Sequence, residues 1–390
     1  MSEKLNICHV ITRMIVGGAQ ENTLATVLDH VRRGHRVTLV TGPSPGREGE
    51  LLGHVRAAGF ELVVMPELVR ELSPLTDLRA YFRLKRFFAE RRFDVVHTHT
   101  SKAGIVGRLA AAAAQVPVVV HTVHGQAFHR AEKPWRNRLF IAAETIAARR
   151  STRIFAVAQA MIDQCVAAGI APRDRYRVVY SGMEIDRFLQ AQPDPELRRG
   201  FGIPAEAKVI ATLARLQPQK GYEFVMPAAA RVAAAEPSVH FLLIGDGIWR
   251  EKLAAEAAAM GLADRFHFAG LISPDEVPRY LVSADMLWHL SLHEGLPRSA
   301  VQALGCGKPV IGFRLDGTPE AVIDGETGYC VECGDTEGVA ERTLAILRDP
   351  ALAAKMGENG RAFVAERFRA DRMGEILERE YLELAAAARR

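Results

Sequence analysis

Met286-Leu-Trp-His-Leu-Ser-Leu-His-Glu294-Gly-Leu-Pro297-Arg-Ser-Ala-Val-Gln302 reads as a strand that runs into a polar loop and then into a helix. Apart from His289, residues 286–290 are apolar with no alternation, as a strand buried on both faces requires. Pro297 suits the first helical position, where its missing N–H costs no hydrogen bond. The N–H groups of that helix start would point at whatever Glu294 and Gly295 hold, a place where phosphate and sugar can meet. A strand, a ligand loop and a helix in that order form the repeating unit of a doubly wound α/β sheet.

The same unit recurs on both sides of this stretch. Upstream, strands are expected at 6–11, 36–41, 61–65, 94–98, 116–122, 153–157 and 177–180, separated by amphipathic stretches such as 19–33, 75–90 and 102–114. Residues 190–204 carry Pro193, Pro195, Gly200, Gly202 and Pro204 and read as a linker. The alternation restarts at 208–213 and continues at 240–244, 265–268, 286–290 and 309–311. The expected organisation is α/β: two doubly wound Rossmann-like domains, 1–188 and 189–370, facing across a cleft. A last helix, within 371–390, has no strand after it and is expected to pack back on the first domain.

Composition narrows the function. At 390 residues, 48% hydrophobic and 25% charged, the chain has the make-up of a globular enzyme. Residues 1–188 hold 27 Lys and Arg against 17 Asp and Glu, a net of +10, whereas the remainder is net −6. A basic first half suits an anionic partner such as nucleic acid, a phosphorylated substrate or an anionic membrane face, and equally an ordinary solvated surface; of these partners nucleic acid is not expected. Of five cysteines, only Cys330 and Cys333 are close, and neither a histidine nor a second pair completes a zinc site. No apolar run reaches membrane-spanning length, and Met1-Ser-Glu-Lys4 shows no leader pattern. The expectation is a cytoplasmic protein, attached peripherally at most.

Three loops carry the chemistry. Gly17-Gly18 follow the first strand, where backbone N–H groups can approach an anion; the spacing is not that of a dinucleotide fingerprint. Arg215 and Lys220 flank Leu-Gln-Pro-Gln after the first strand of the second half, a cationic clamp suited to a diphosphate. Glu294 and Gln302 belong to the opening segment and could face one ligand. In the first half, His97, His99, His121 and His124 cluster at strand ends. Paired histidines invite a metal, but these loops supply little carboxylate and no cysteine, so no metal and no cofactor are expected.

These segments resemble glycosyltransferase family 4, the retaining transferases of the GT-B fold. The likeness runs through the Gly-Gly turn, 94–99, 121–125, 214–221, 245–247 and 291–311. It implies a nucleoside, uridine or another, in the second domain and the acceptor in the first. It further implies that Arg215 and Lys220 hold the diphosphate and Glu294 the donor sugar, with backbone near Leu296 on phosphate and Leu271 beside the base. Gly17, Gly18, Gly245 and Gly295 join the donor side, and His124 touches the donor sugar, so Glu294 and His124 are the catalytic candidates. The family carries a second Glu where this chain has Gln302, which keeps an acceptor oxygen for the ribose but loses the charge.

Lys102 stands in the first turn of a helix, where the dipole disfavours a cation unless an anion is bound there. This variant resembles the subset of the family that builds lipid-linked oligosaccharides and surface polysaccharides, which implies a polyprenyl-(pyro)phosphate acceptor. Lys102, Arg70 and His99 are its candidate ligands. A sugar-nucleotide 2-epimerase of the same fold and a non-catalytic sugar-nucleotide-binding scaffold stay open as alternatives.

Overall fold

Runs of Val, Ile and Leu with few or no charges become the strands, because a parallel strand covered on both faces offers no solvent-facing side. The computed structural model describes residues 3–44, 51, 59–71, 73–129 and 132–390. Seven strands form the first sheet: β1 (Asn6–Ile11), β2 (Arg36–Thr41), β3 (Glu61–Val64), β4 (Val95–His99), β5 (Val118–Val123), β6 (Arg153–Ala156) and β7 (Tyr176–Val178). Their order is β3-β2-β1-β4-β5-β6-β7, with all pairs parallel. The second sheet holds β8 (Lys208–Leu213), β9 (Val239–Ile244), β10 (Phe266–Gly270), β11 (Met286–His289), β12 (Val310–Phe313) and β13 (Gly328–Val331). It is also parallel, in the order β10-β9-β8-β11-β12-β13. In each sheet the chain reverses direction once, between β1 and β4 and between β8 and β11, and a switch point leaves a crevice at the strands' carboxyl ends.

The structure divides into two units, Met1–Met183 with Ala370–Arg390, and Glu184–Arg369. The first boundary thus precedes residue 188. The expected linker at 190–204 is instead part of the second unit and contains a helix, Pro195–Gly200. Asp194 caps it by accepting from Glu196 N at 2.9 Å, and Pro195 takes the first helical position, so this proline starts structure rather than interrupting it. The strand β13 was not anticipated: it has only four residues, and Gly328 brings its backbone so close to Val310 that a Cβ would stand 1.9 Å from the carbonyl oxygen.

The last helix, Ala370–Ala388, belongs to the first unit. Met373, Leu377, Tyr381 and Ala385 recur every four residues and are buried against Ile7, Val95, Val118, Val120 and Phe155 of the sheet. Each large apolar side chain buried there contributes about 1.5–3 kcal/mol. Charged groups fix the docking. Glu380, 2% exposed, accepts from Arg177 at 2.6 Å, and Glu378 meets Arg33 at 3.0 Å. Gly374 lies against helix Gly18–Arg32, where a Cβ would meet Asp29 Oδ2 at 1.7 Å while Asp29 is already held by Arg33. Gly374→Ala should therefore force the helices apart and lower unfolding free energy by about 1–3 kcal/mol. Urea unfolding checks this, and an unchanged midpoint would show that the contact is slack.

Candidate active site

The second unit assembles its polar loops at the β8/β11 switch point. Residues 214–221 leave β8, 245–249 leave β9 and 290–296 leave β11, and backbone bonds stitch the three together. Leu216 N donates to Asp246 O at 3.0 Å, Trp249 N donates to Leu216 O at 2.9 Å, and Leu292 N donates to Gln219 O at 2.9 Å. The glycines make this possible. Gly221 has φ +77°, and a Cβ there would stand 1.8 Å from Leu290 O; Gly245 has φ +134° and faces Ala214 O in the same way. Gly245 therefore acts sterically, by letting the loop that bears Arg215 close in.

The result is an ion pair at the strand ends. Lys220 Nζ lies 2.6 Å from Glu294 Oε1, with the two side chains 23% and 22% exposed. Burial pushes the Glu294 carboxyl up, but Lys220 and His289 outweigh it and hold the group below its ordinary value. His289 was missed by sequence reasoning, being the inward-facing end of a strand. Its Nδ1 shares a hydrogen with Ser299 Oγ at 3.1 Å, while Nε2 has no partner among the described residues and sits 4.0 Å from Glu294 Oε1. Burial lowers it to about 4, so it stays neutral beneath the carboxylate. Asp316 was also missed: its Oδ2 accepts from Glu294 N at 2.9 Å, and Gly317 N donates to Gly295 O at 3.1 Å. The loop after β12 thus holds the Glu294 backbone.

Arg215 stands half-buried on the first loop. Gln302 lies on helix Arg298–Gly305 and is 7% exposed; Pro297 is its N-cap, one position earlier than expected. Leu296 is buried, whereas Leu271, just past β10, is 55% exposed, an apolar surface at a strand end where a flat ring could stack.

In the first unit, Gly18 opens helix Gly18–Arg32 and Gly17 is its N-cap, so the glycine turn does stand at a helix start beyond β1. The side chains of β1 and β4 alternate, and odd-numbered positions face the last helix. His9, His97 and His99 therefore point into one buried layer, with ring nitrogens within 4.8 Å of one another. All six nitrogens are engaged. His9 bonds His99 and His30 at 3.0 and 3.2 Å, His97 bonds Thr122 Oγ1 at 2.7 Å and the Tyr381 hydroxyl, and His99 bonds His124 at 3.0 Å. Each ring nitrogen of the three thus already meets a polar partner, and the cluster is joined as one hydrogen-bond network. His121 faces the opposite layer, against Gly104 and Thr98.

Two acceptor assignments change. His99 is fully buried with both nitrogens engaged, so it meets no ligand directly; His124, half-buried at the end of β5, is the ring it touches. Lys102 has its anion inside the chain, since Nζ lies 2.5 Å from Asp77 Oδ1 and also donates to Glu71 O. The dipole argument for a bound anion therefore falls. Arg70 is exposed beside this contact. Thr100, two residues before Lys102, has φ +61° and ψ 158°, a region that β-branched residues avoid and that costs about 1–3 kcal/mol. Its Oγ1 lies 2.9 Å from Thr12 Oγ1 across the switch point.

Residues 17–182 match the model of the glycosyl transferase 4-like domain, and residues 193–363 match that of glycosyl transferases group 1. The chain belongs to the family 4 glycosyltransferases, with two α/β units of the GT-B type. It is 26% identical over 353 residues to the UDP-Gal:alpha-D-GlcNAc-diphosphoundecaprenol alpha-1,3-galactosyltransferase of Escherichia coli, covering 90% of this chain and 89% of that one. It is 29% identical over 359 residues to the D-inositol 3-phosphate glycosyltransferase of Mycolicibacterium smegmatis, covering 87% and 81%. Anabaena HepE, solved in complex with UDP, superposes with a TM-score of 0.80 at 22% identity over 96% of this chain and 99% of its own.

The buried histidines make stability depend on pH. Burial lowers His9 to about 3 and holds His30, His97, His99 and His121 well below 6.5. The unfolded chain binds protons near pH 6.5 and the folded one does not, so stability is full above that value and falls as pH drops below it. Each imidazole kept neutral costs about 1.4 kcal/mol on going to pH 5.5. Urea unfolding should lose several kcal/mol between pH 7.5 and 5.5, and His9→Gln should reduce that loss by about 1.4 kcal/mol. A flat pH profile would mean that the layer is hydrated.

Proposed function

We propose that the enzyme is a metal-independent, retaining transferase that moves a hexosyl or N-acetylhexosaminyl group from a UDP-linked donor to a saccharide on a polyprenyl-(pyro)phosphate. The observation that carries this reading is the Lys220–Glu294 pair at the β8/β11 switch point, with Arg215 on the same loop. A nucleoside diphosphate leaving group gathers charge as the glycosidic bond breaks. Arg215 and Lys220 offset that charge without a metal, and Glu294 accepts from a sugar hydroxyl. Retention of configuration is carried over from the family. The UDP held by HepE supports the donor, and the diphosphoundecaprenol and inositol phosphate in the relatives' names support an acceptor that bears phosphate. The first unit, with 30 Lys and Arg against 20 Asp and Glu, suits such an acceptor.

Glu294→Gln should lower kcat about a hundredfold or more while the protein still folds. Arg215→Ala and Lys220→Ala should weaken UDP far more than uridine in calorimetry, and equal losses for both ligands would remove the clamp. Transfer should survive a chelator. UDP release that depends on acceptor separates transfer from 2-epimerisation and from mere binding.

The lipid acceptor implies a surface on which to meet it, and no helix among the described residues is long and apolar enough to cross a membrane. Helix Pro74–Arg91 exposes Leu75, Leu78 and Phe82 along one face, and helix Pro134–Ala148 exposes Trp135, Leu139 and Ile146 along another. Both pack on helix Ser101–Ala113, and exposed Arg79, Arg86, Lys133 and Arg138 accompany the apolar side chains. Apolar and basic groups together fit the boundary of an anionic bilayer. Trp135 is a built-in reporter. Its fluorescence should shift to the blue with phosphatidylglycerol vesicles and not with phosphatidylcholine, and Leu139→Glu should weaken binding about tenfold or more. Equal binding to both vesicle types would refute the surface.

A further inference from the structure

Four imidazoles stand in one row inside the first unit. His124 Nε2 meets His99 Nδ1 at 3.0 Å, His99 Nε2 meets His9 Nδ1 at 3.0 Å, and His9 Nε2 meets His30 Nδ1 at 3.2 Å. The row begins at a half-buried ring beyond β5 and ends in the interior, against the last helix, where the His30 and Tyr381 rings lie 5.2 Å apart. At that inner end, His30 Nε2 is buried and has no hydrogen-bond partner among the described residues.

Counting protons gives the row a direction. A neutral imidazole has one N–H and one lone pair, and each contact between rings uses one of each. Four neutral rings bring four N–H groups, and the three contacts take three of them, so the fourth must sit at an end, on His30 Nε2 or on His124 Nδ1. A buried N–H without an acceptor costs more than a buried lone pair without a donor. The proton therefore belongs on His124. Reading back, His30, His9 and His99 each donate from Nδ1 to the Nε2 of the next ring. Burial keeps His9, His30 and His99 uncharged near pH 7, as the count requires.

We propose that this dead-ended row fixes His124 as a neutral imidazole protonated on Nδ1, and so as a hydrogen-bond donor to a ligand oxygen, a sugar hydroxyl or a phosphate, rather than as a base. His99, His9 and His30 are positioning residues that act through it. The ligand side rests on the function proposed above; the row itself does not. Free neutral histidine favours the opposite form, with the proton on Nε2, so the protein reverses the ordinary preference by closing the inner end. The imbalance favours the Nδ1 form by on the order of tenfold or more.

Long-range proton–nitrogen correlation spectra of the full chain carrying ¹⁵N-histidine read the form directly at neutral pH. His124, His99, His9 and His30 should all show the Nδ1–H pattern. Nε2–H on His124 or on His30 would overturn the proposal, and so would a doubly protonated ring anywhere in the row. His99→Leu should release His124 towards Nε2–H and lower kcat about tenfold with little change in donor KM. His99→Gln, whose amide can accept from His9 and donate to His124, should restore both readings. A released His124 with unchanged kinetics in His99→Leu would uphold the row and overturn the placement of His124 at the reaction. Should His99→Leu not fold, the wild-type spectrum alone decides.

Discussion

Gly221 is the position on which the second unit's chemistry depends. Its backbone lies so close to the carbonyl of Leu290 that no side chain fits. That approach lets the loop after β8 bond the loop after β11, through Leu292 N and Ser291 Oγ on Gln219 O. Lys220 is the next residue along, so its ammonium arrives at Glu294 because the backbone delivers it. A carboxylate pressed between a cation and a neutral buried imidazole stays ionised despite its burial. An ionised Glu294 is an acceptor only, which is what a sugar hydroxyl needs opposite it.

The first unit uses its switch point differently. Where the second places opposite charges at the strand ends, the first sinks neutral rings into the sheet's inner layer, and the alternation of β1 and β4 decides which face receives them. His9 and His97 are direct partners across the sheet, and the Tyr381 hydroxyl reaches His97 from the last helix. Polar groups in such a place raise specificity only when every partner is supplied, and here nearly every one is.

The strands from β1 to β12 were legible in the sequence because parallel strands covered on both faces announce themselves as apolar runs. β13 was not, because four residues beginning with glycine carry too little pattern. That Arg215, Lys220 and Glu294 would stand on loops just past strands was legible, because the strands before them are visible along the chain. His9 and His30 could not, since their meaning lies in contacts across 90 and 21 residues that only the sheet order creates. Lys102 misled for the same reason: its counter-charge, Asp77, sits on a different helix. The prolines at 193–204 misled in another way, since proline both breaks helices and begins them, and Asp194 ahead of Pro195 was the signal that decided between the two.

The first unit is interrupted in sequence. Its sheet is complete by Val178, yet Met373, Leu377 and Tyr381, which cover one face, are synthesised after the whole of the second unit. A chain emerging from the ribosome therefore holds its N-terminal sheet half-clothed while Glu184–Arg369, contiguous and self-contained, can already close. The order of maturation is thus the reverse of the order of synthesis. The histidine layer takes its cover from a helix encoded after the whole of the second unit, so the first unit's interior closes only once Ala370–Ala388 has been made.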